Sequence, residues 1–538
     1  MRMPPWPAAL RAPTWYFLLA CGFLASCMRG SLPADTLVEA SVGEPPNLVP
    51  MLAGESTAFD VGEKIFNTLI AYDENLELKG ELAQSWEVKD GGKTLVFHLK
   101  PGLKWADGEP LDARDALFTY KLITDPKTPS PYAGSFRLIS EALAPEPLTF
   151  VVRYKKPYVP ALNVWATTYI MPEHLLAGKD ILHSSFLRAP VGSNHYALSQ
   201  WAEGERIELA ANPQSNFGPP GIRRWVTCII PDTQSQLLDF TQGGLDIVGL
   251  RPVHFARLFA LRPGLREKSR LIEGEAKGFE YLGFNLKREP FDDVRVRQAL
   301  NYAIDKKELI SGVLFGLGKE VASPFRPGTP WMHPALSPYP YDPQKAMALL
   351  AQAGFVRGKD GVLRRGGKPF SFEILTNQNP EREKAAILIQ YRLKELGIEA
   401  RVRVLEWATF LSRFVSPGNF DAVLLGWVLD PEPDERALWH SEEIGPGKFN
   451  FISYRNPQVD KLLDEGESTF DVESRRKIYW KMAEILHRDS PVIYLYASKS
   501  LGAFSRRVLG IPDPPPLAGV GETYPRWRLA PPGLALSP

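Results

Sequence analysis

The sequence predicts an α/β protein with more than one domain, and three observations carry that reading. Between 370 and 404 an alternating run, a helical run and a second alternating run follow one another, the pattern of a strand, a crossover helix and a parallel strand. The apolar run from Phe420 to Trp427 does not alternate, as expected of a strand covered on both faces. At 538 residues the chain is long enough for two to four domains of about 150 residues each.

At the N-terminus Arg2 and Arg11 precede an apolar run from Trp15 to Ala25 that ends in Leu24-Ala25-Ser26-Cys27. A basic region, a short apolar region and a small-residue site make up a secretory signal peptide, here 1–26. The run is about eleven residues, and a helix needs roughly twenty to span a bilayer core, which argues against a permanent membrane span. Leu-Ala-Ser-Cys resembles the bacterial lipobox, so Cys27 is expected to become the acylated first residue and to anchor the protein at a membrane surface. The chain has 3 Cys. Cleavage removes Cys21 and acylation uses Cys27, so the mature fold is expected not to rest on an internal disulfide even in an oxidising compartment.

Further along, Ser85 to Val88 and Thr94 to Leu99 read as strands flanking Lys89-Asp90-Gly91-Gly92, where Asp-Gly signals a tight hairpin turn. Asp112 caps an expected helix from Ala113 to Ile123. A strand from Tyr281 to Asn285 leads through Pro290 into a helix starting near Asp293, and Asp305 with Glu308 caps the next one. Asp342-Pro343 and Gly354 bracket a helix from Gln344 to Ala353. In the strand–helix–strand unit, Phe370, Phe372 and Ile374 alternate, a helix runs from about Glu381 to Leu396, and Ile398, Ala400, Val402 and Val404 alternate again. From Ile511 to Pro538 the Pro-rich end reads as extended coil.

Charge and composition narrow the function. The formal charge of +1 becomes −1 once a leader holding Arg2 and Arg11 and no acid is removed, and no basic stripe with interleaved aromatics is visible, which excludes a nucleic-acid partner. Aromatics reach 11 % with 13 Trp, enough both for a core and for a cleft that grips a ligand without covalent chemistry. There is no H-E-x-x-H, no G-x-S-x-G and no complete P-loop, so no enzyme is read. The 8 His are scattered, with no pair at helical ligand spacing. Asp430, Glu432 and Asp434 mimic the start of a calcium loop, but Glu435 stands where Gly is required and Ser441 where the bidentate Glu belongs. No metal and no cofactor is expected.

Three stretches resemble one family: Trp86 through Thr94, Phe97 through Gly108, and Asp293 through Lys306. Weaker matches are Lys345-Ala346 with Leu349 through Phe355, and Asn456 through Asp460. In this order they resemble the family 5 extracellular solute-binding proteins, the oligopeptide, dipeptide and nickel type. That resemblance implies a two-lobed periplasmic-binding-protein fold with a hinge and an extra subdomain on lobe I. Lobe I would span 31–284 with an inserted subdomain at about 76–189, lobe II 285–497, and 498–538 would return to lobe I as the Pro-rich tail. The implied function is capture of a peptide between the lobes and delivery to the permease of an ABC importer. The protein would be a monomer in the periplasm or on the outer face of the membrane, tethered by its lipid. A non-peptide ligand such as a nickel chelate, a sugar or an opine is the alternative, with His195, His254 or His440 available to a chelate. A secreted hydrolase or a periplasmic chaperone is a further one.

For the site, ligands of open α/β sheets bind beyond the carboxyl ends of strands, which points to the loop after Trp427. Trp427 and Asp430 resemble the Trp-x-x-Asp of peptide-binding members, where the acid pairs with a ligand's α-ammonium; a solvated acidic loop is the other reading. Trp427 and Trp407 either stack on ligand side chains or belong to the core. Near Gly54-Glu55-Ser56-Thr57, Ser56 and Thr57 either donate to an extended ligand or form a surface turn. Many members carry Gly-Thr-Gly-Pro-Tyr where this chain has Gly192-Ser193-Asn194-His195-Tyr196, a departure that bears on substrate class.

Overall fold

The computed structural model of the protein describes residues 33–53, 56–445 and 448–531. The expected leader 1–26, Cys27, Gly54 and Glu55 lie outside the described residues.

Thr36–Ser41 runs parallel to Arg224–Ile229, which continues antiparallel through Arg206–Ala211 to Tyr196–Ala202 in a four-stranded sheet. A second, antiparallel four-stranded sheet has the order Ala83–Lys89, Thr94–Leu99, Thr149–Tyr154, Ile139–Glu146. Its first hairpin is the expected one, and the turn uses left-handed backbone at Asp90, Gly91 and Gly92. Gly92 is required for a second reason. With φ of +90°, a Cβ placed there would lie 2.1 Å from the Phe470 ring of a distant segment. Helix Ala113–Thr124 starts at Asp112 with a full capping box, Asp115 answering back to the Asp112 N–H.

The largest sheet has six strands in the order Gly318–Lys319, Val492–Ser498, Gly278–Phe284, Ala422–Val428, Ser371–Asn377, Glu399–Leu405. Ser371–Asn377 and Glu399–Leu405 are parallel and joined by helix Pro380–Glu395, as the periodicity predicts. The non-alternating strand is central: Ala422, Val423 and Leu424 are fully buried, and the strand pairs on both edges. Gly278–Phe284 is an inner strand of this sheet and pairs with both Ala422–Val428 and Val492–Ser498. The chain leaves the sheet at Ser498 and at once forms Ser500–Ser505, which pairs with Ser269–Gly274 and Ile247–Gly249 in a separate three-stranded sheet.

One expectation needs correction. The C-terminal end is not simply extended: a 3-10 helix covers Val520–Arg526, and Arg528–Leu529 pairs with Val508–Leu509. The reason is aromatic anchoring. Tyr524 and Trp527 are buried, and Trp527 stacks on Trp225 at 5.8 Å between centroids; side chains of this size stabilise by about 2 kcal/mol or more when buried, which outweighs the extended preference of nearby prolines.

Candidate functional site

Two cavities open among the sheets. One, of 590 Å³, is lined by Ser41, Thr57, Lys64, Trp225 and His254 among others; the second, of 480 Å³, by Tyr72, Lys277, Arg326, Pro431 and His195. Glu63 and Tyr524 line both.

In the larger cavity, Ser56 begins helix Ser56–Ile65 and Thr57 follows, buried, with its hydroxyl 2.7 Å from that of Ser41. Lys64 projects from the same helix, and its ammonium sits 4.9 Å from the Trp225 ring centroid and 5.5 Å from that of Tyr524. Glu63 stands 3.3 Å from that ammonium, and Glu39 accepts from the Trp225 indole at 2.7 Å.

At the smaller cavity the loop after Ala422–Val428 meets elements from much earlier in the chain. Asp430 accepts a hydrogen bond from the Asn163 amide at 3.1 Å, and the Asn163 carbonyl oxygen accepts from the Tyr72 hydroxyl at 2.9 Å. Two of the next acids are structural rather than solvated. Glu432 pairs with Arg475 at 2.7 Å, and burial pushes its carboxyl up to about 7 despite that partner. Glu435, buried, accepts from the Trp439 indole at 3.0 Å, and burial raises it to about 8.

The remaining candidates do not converge. Trp427 stacks nearly parallel on Tyr281, 6.3 Å between centroids and 7° between planes, and lines neither large cavity. Trp407 is 47 % exposed, touches Phe410, and also lines neither. His195 and His254 fall in different cavities, while His440 is buried with Nδ1 accepting from the Glu442 N–H. Among the described residues no group of three or more His, Cys, Asp or Glu is arranged to hold a metal, and no helix is long and apolar enough to cross a membrane. Tyr72, Asn163 and Arg326 escape sequence reasoning because they lie in unremarkable local patterns and gain meaning only through contacts across hundreds of residues.

A family model described as bacterial extracellular solute-binding proteins, family 5, matches residues 77–445. The chain belongs to this family. Among relatives of this solute-binding protein, the oligopeptide-binding protein AppA of Bacillus subtilis is 30 % identical over 474 residues, covering 86 % of each chain. The structure of that protein in complex with a nonapeptide superposes with a TM-score of 0.79 at 27 % identity, over 93 % of this chain and 100 % of the other. NikZ of Campylobacter jejuni in complex with Ni(L-His) matches with a TM-score of 0.80 at 26 % identity, over 92 % and 100 %. The solute-binding protein therefore has the two-lobed α/β fold of periplasmic binding proteins.

Proposed function

We propose that this solute-binding protein captures a peptide between its lobes and delivers it to the permease of an ABC importer, performing no reaction on it. One observation carries the reading: Asp430, on the loop leaving the central strand of the six-stranded sheet, accepts from the Asn163 amide, and the next residue, Pro431, lines the 480 Å³ cavity together with Tyr72, the other partner of Asn163. A carboxylate there can take a ligand ammonium in place of the Asn163 amide, and exclusion of water strengthens the pairing. The lobes we assign are the segments to about 276 with the return from 500, and the segment 278–498, each with its own sheets. Closure about the strands that join them buries the ligand, the hinge motion of binding proteins generally.

Replacing Asp430 by Asn tests the assignment. Affinity for a free-amine peptide is expected to fall at least tenfold while that for its N-acetylated form changes little, measured by calorimetry; equal losses remove Asp430 from the site. We also assign Cys27 as the lipid anchor that holds the protein outside the cytoplasmic membrane. Cys27→Ser is expected to move the protein from the membrane fraction to the soluble one, and continued membrane retention refutes the anchor.

A non-peptide ligand is the second reading, and the departure at Asn194-His195 favours it, since both residues line the 480 Å³ cavity. Release of a non-peptide molecule from the purified protein would decide for it.

A further inference from the structure

Arg326 is the least explained charge in the protein. It is only 7 % exposed, yet it is in no ion pair among the described residues. One of its terminal nitrogens donates to the Leu517 carbonyl at 3.2 Å, and its Nε–H, sealed from solvent, has no acceptor there. A buried guanidinium with donors unspent is costly, because its hydration has been given up without replacement. Asp430 and Glu522 lie near enough to favour its charge, but neither is within ion-pair distance.

Other cations stand near it in more solvated positions, Lys79 and Lys277 exposed and Lys100 half-buried. Lys79, Lys100 and Lys277 line the same 480 Å³ cavity and are likewise in no ion pair among the described residues. The acids facing them are committed elsewhere or short of charge. Glu63 pairs with Lys64 at 3.3 Å, Glu81 accepts from Asn67 at 2.7 Å and from the Thr68 N–H at 2.8 Å, and burial raises both Glu81 and Glu522. The cavity is thus electropositive around one buried, under-used fork of donors, the geometry that recognises a carboxylate in two parallel hydrogen bonds.

We propose that Arg326 receives a carboxylate of the bound ligand beside Pro431, with Lys277, Lys79 and Lys100 supplying the field, so that the protein selects ligands carrying a free carboxylate. This rests on the 480 Å³ cavity being the binding site, and deepens the peptide reading by naming the group that is selected.

The full mature protein is offered four mixtures in turn: randomised tripeptides as free acids, the same as C-terminal amides, amides lacking Asp and Glu, and small non-peptide mono- and dicarboxylates. Retained compounds are recovered after gel filtration and identified by mass. The wild type is expected to retain free acids at least tenfold over amides lacking Asp and Glu, with Arg326→Gln reducing the ratio to near one and Arg326→Lys restoring part of it. Preference for the full amide mixture over the amides lacking Asp and Glu would assign the contact to a side-chain carboxylate rather than to the terminus. Equal retention of acids and acid-free amides by the wild type overturns the proposal, and needs no variant to fold; so does discrimination that survives in Arg326→Gln. Retention of the non-peptide carboxylates alone, lost in Arg326→Gln, upholds the carboxylate assignment and overturns the peptide reading. Retention of none of the four mixtures overturns both.

Discussion

At the scale of single residues, the acids after the central strand divide by environment. Asp430 is exposed, whereas Glu435, five residues later, is 4 % exposed and accepts an indole hydrogen bond. In the folded protein Glu435 keeps its proton up to about 8, while in the unfolded chain it ionises near the ordinary 4.5. The folded state therefore binds the extra proton between those values, and stability falls as pH rises from about 5 to about 8, by roughly 1.4 kcal/mol for each pH unit that the group contributes. Glu432 adds the same sign up to about 7. Urea denaturation across that range is expected to show the decline, and Glu435→Gln, which keeps an acceptor for Trp439, to flatten it. The two Trp candidates show where residue-level pattern stops: a tryptophan at a strand end reads the same whether it faces a ligand or, as Trp427 does, its own core.

At the scale of elements, local chemistry was legible wherever a cap or a turn fixed it. Asp112, Asp293, Asp305 and Asp342 each cap the helix expected of them. Asp115 does more than its position suggests. It accepts from the N–H groups of Asp112 at 3.0 Å and Glu173 at 2.9 Å, tying two helix starts together in a buried spot. Asp115→Ala leaves both donors unsatisfied and is expected to cost about 3 kcal/mol in chemical denaturation, whereas an exposed acid such as Asp125 is expected to change stability by less than about 0.5 kcal/mol. The C-terminal end departs from coil for the opposite reason: proline content speaks for coil, and only the far partner Trp225 gives Trp527 somewhere to go.

At the scale of the whole molecule, several polar contacts join distant sheets. Besides Asn163 with Asp430, the Val159 N–H donates to the Glu467 carbonyl at 2.7 Å and Arg251 pairs with Glu381 at 2.9 Å. Polar contacts of this kind suit a closed form that must also open, since each contributes little. Glu381→Gln, outside both cavities, is expected to weaken ligand binding about threefold by depleting the closed population, with the melting temperature of the ligand-free protein unchanged. Titration calorimetry and scanning calorimetry of the same sample check both halves, and an unchanged affinity would show that this pair does not stabilise closure.

The sequence by itself determined the α/β class, the capped helices, the hairpin and the parallel strand unit, because each of these follows from periodicity and from side chains acting on their own backbone within a few residues. It also carried the family resemblance, which rests on contiguous motifs. Only the tertiary structure decided which strand lies at the centre of the six-stranded sheet, that Asn163 bonds Asp430 while Tyr72 and Arg326 line one cavity with Pro431, and which charges are buried. Those outcomes depend on the removal of water by segments far apart in the chain, and desolvation leaves no mark on the local sequence.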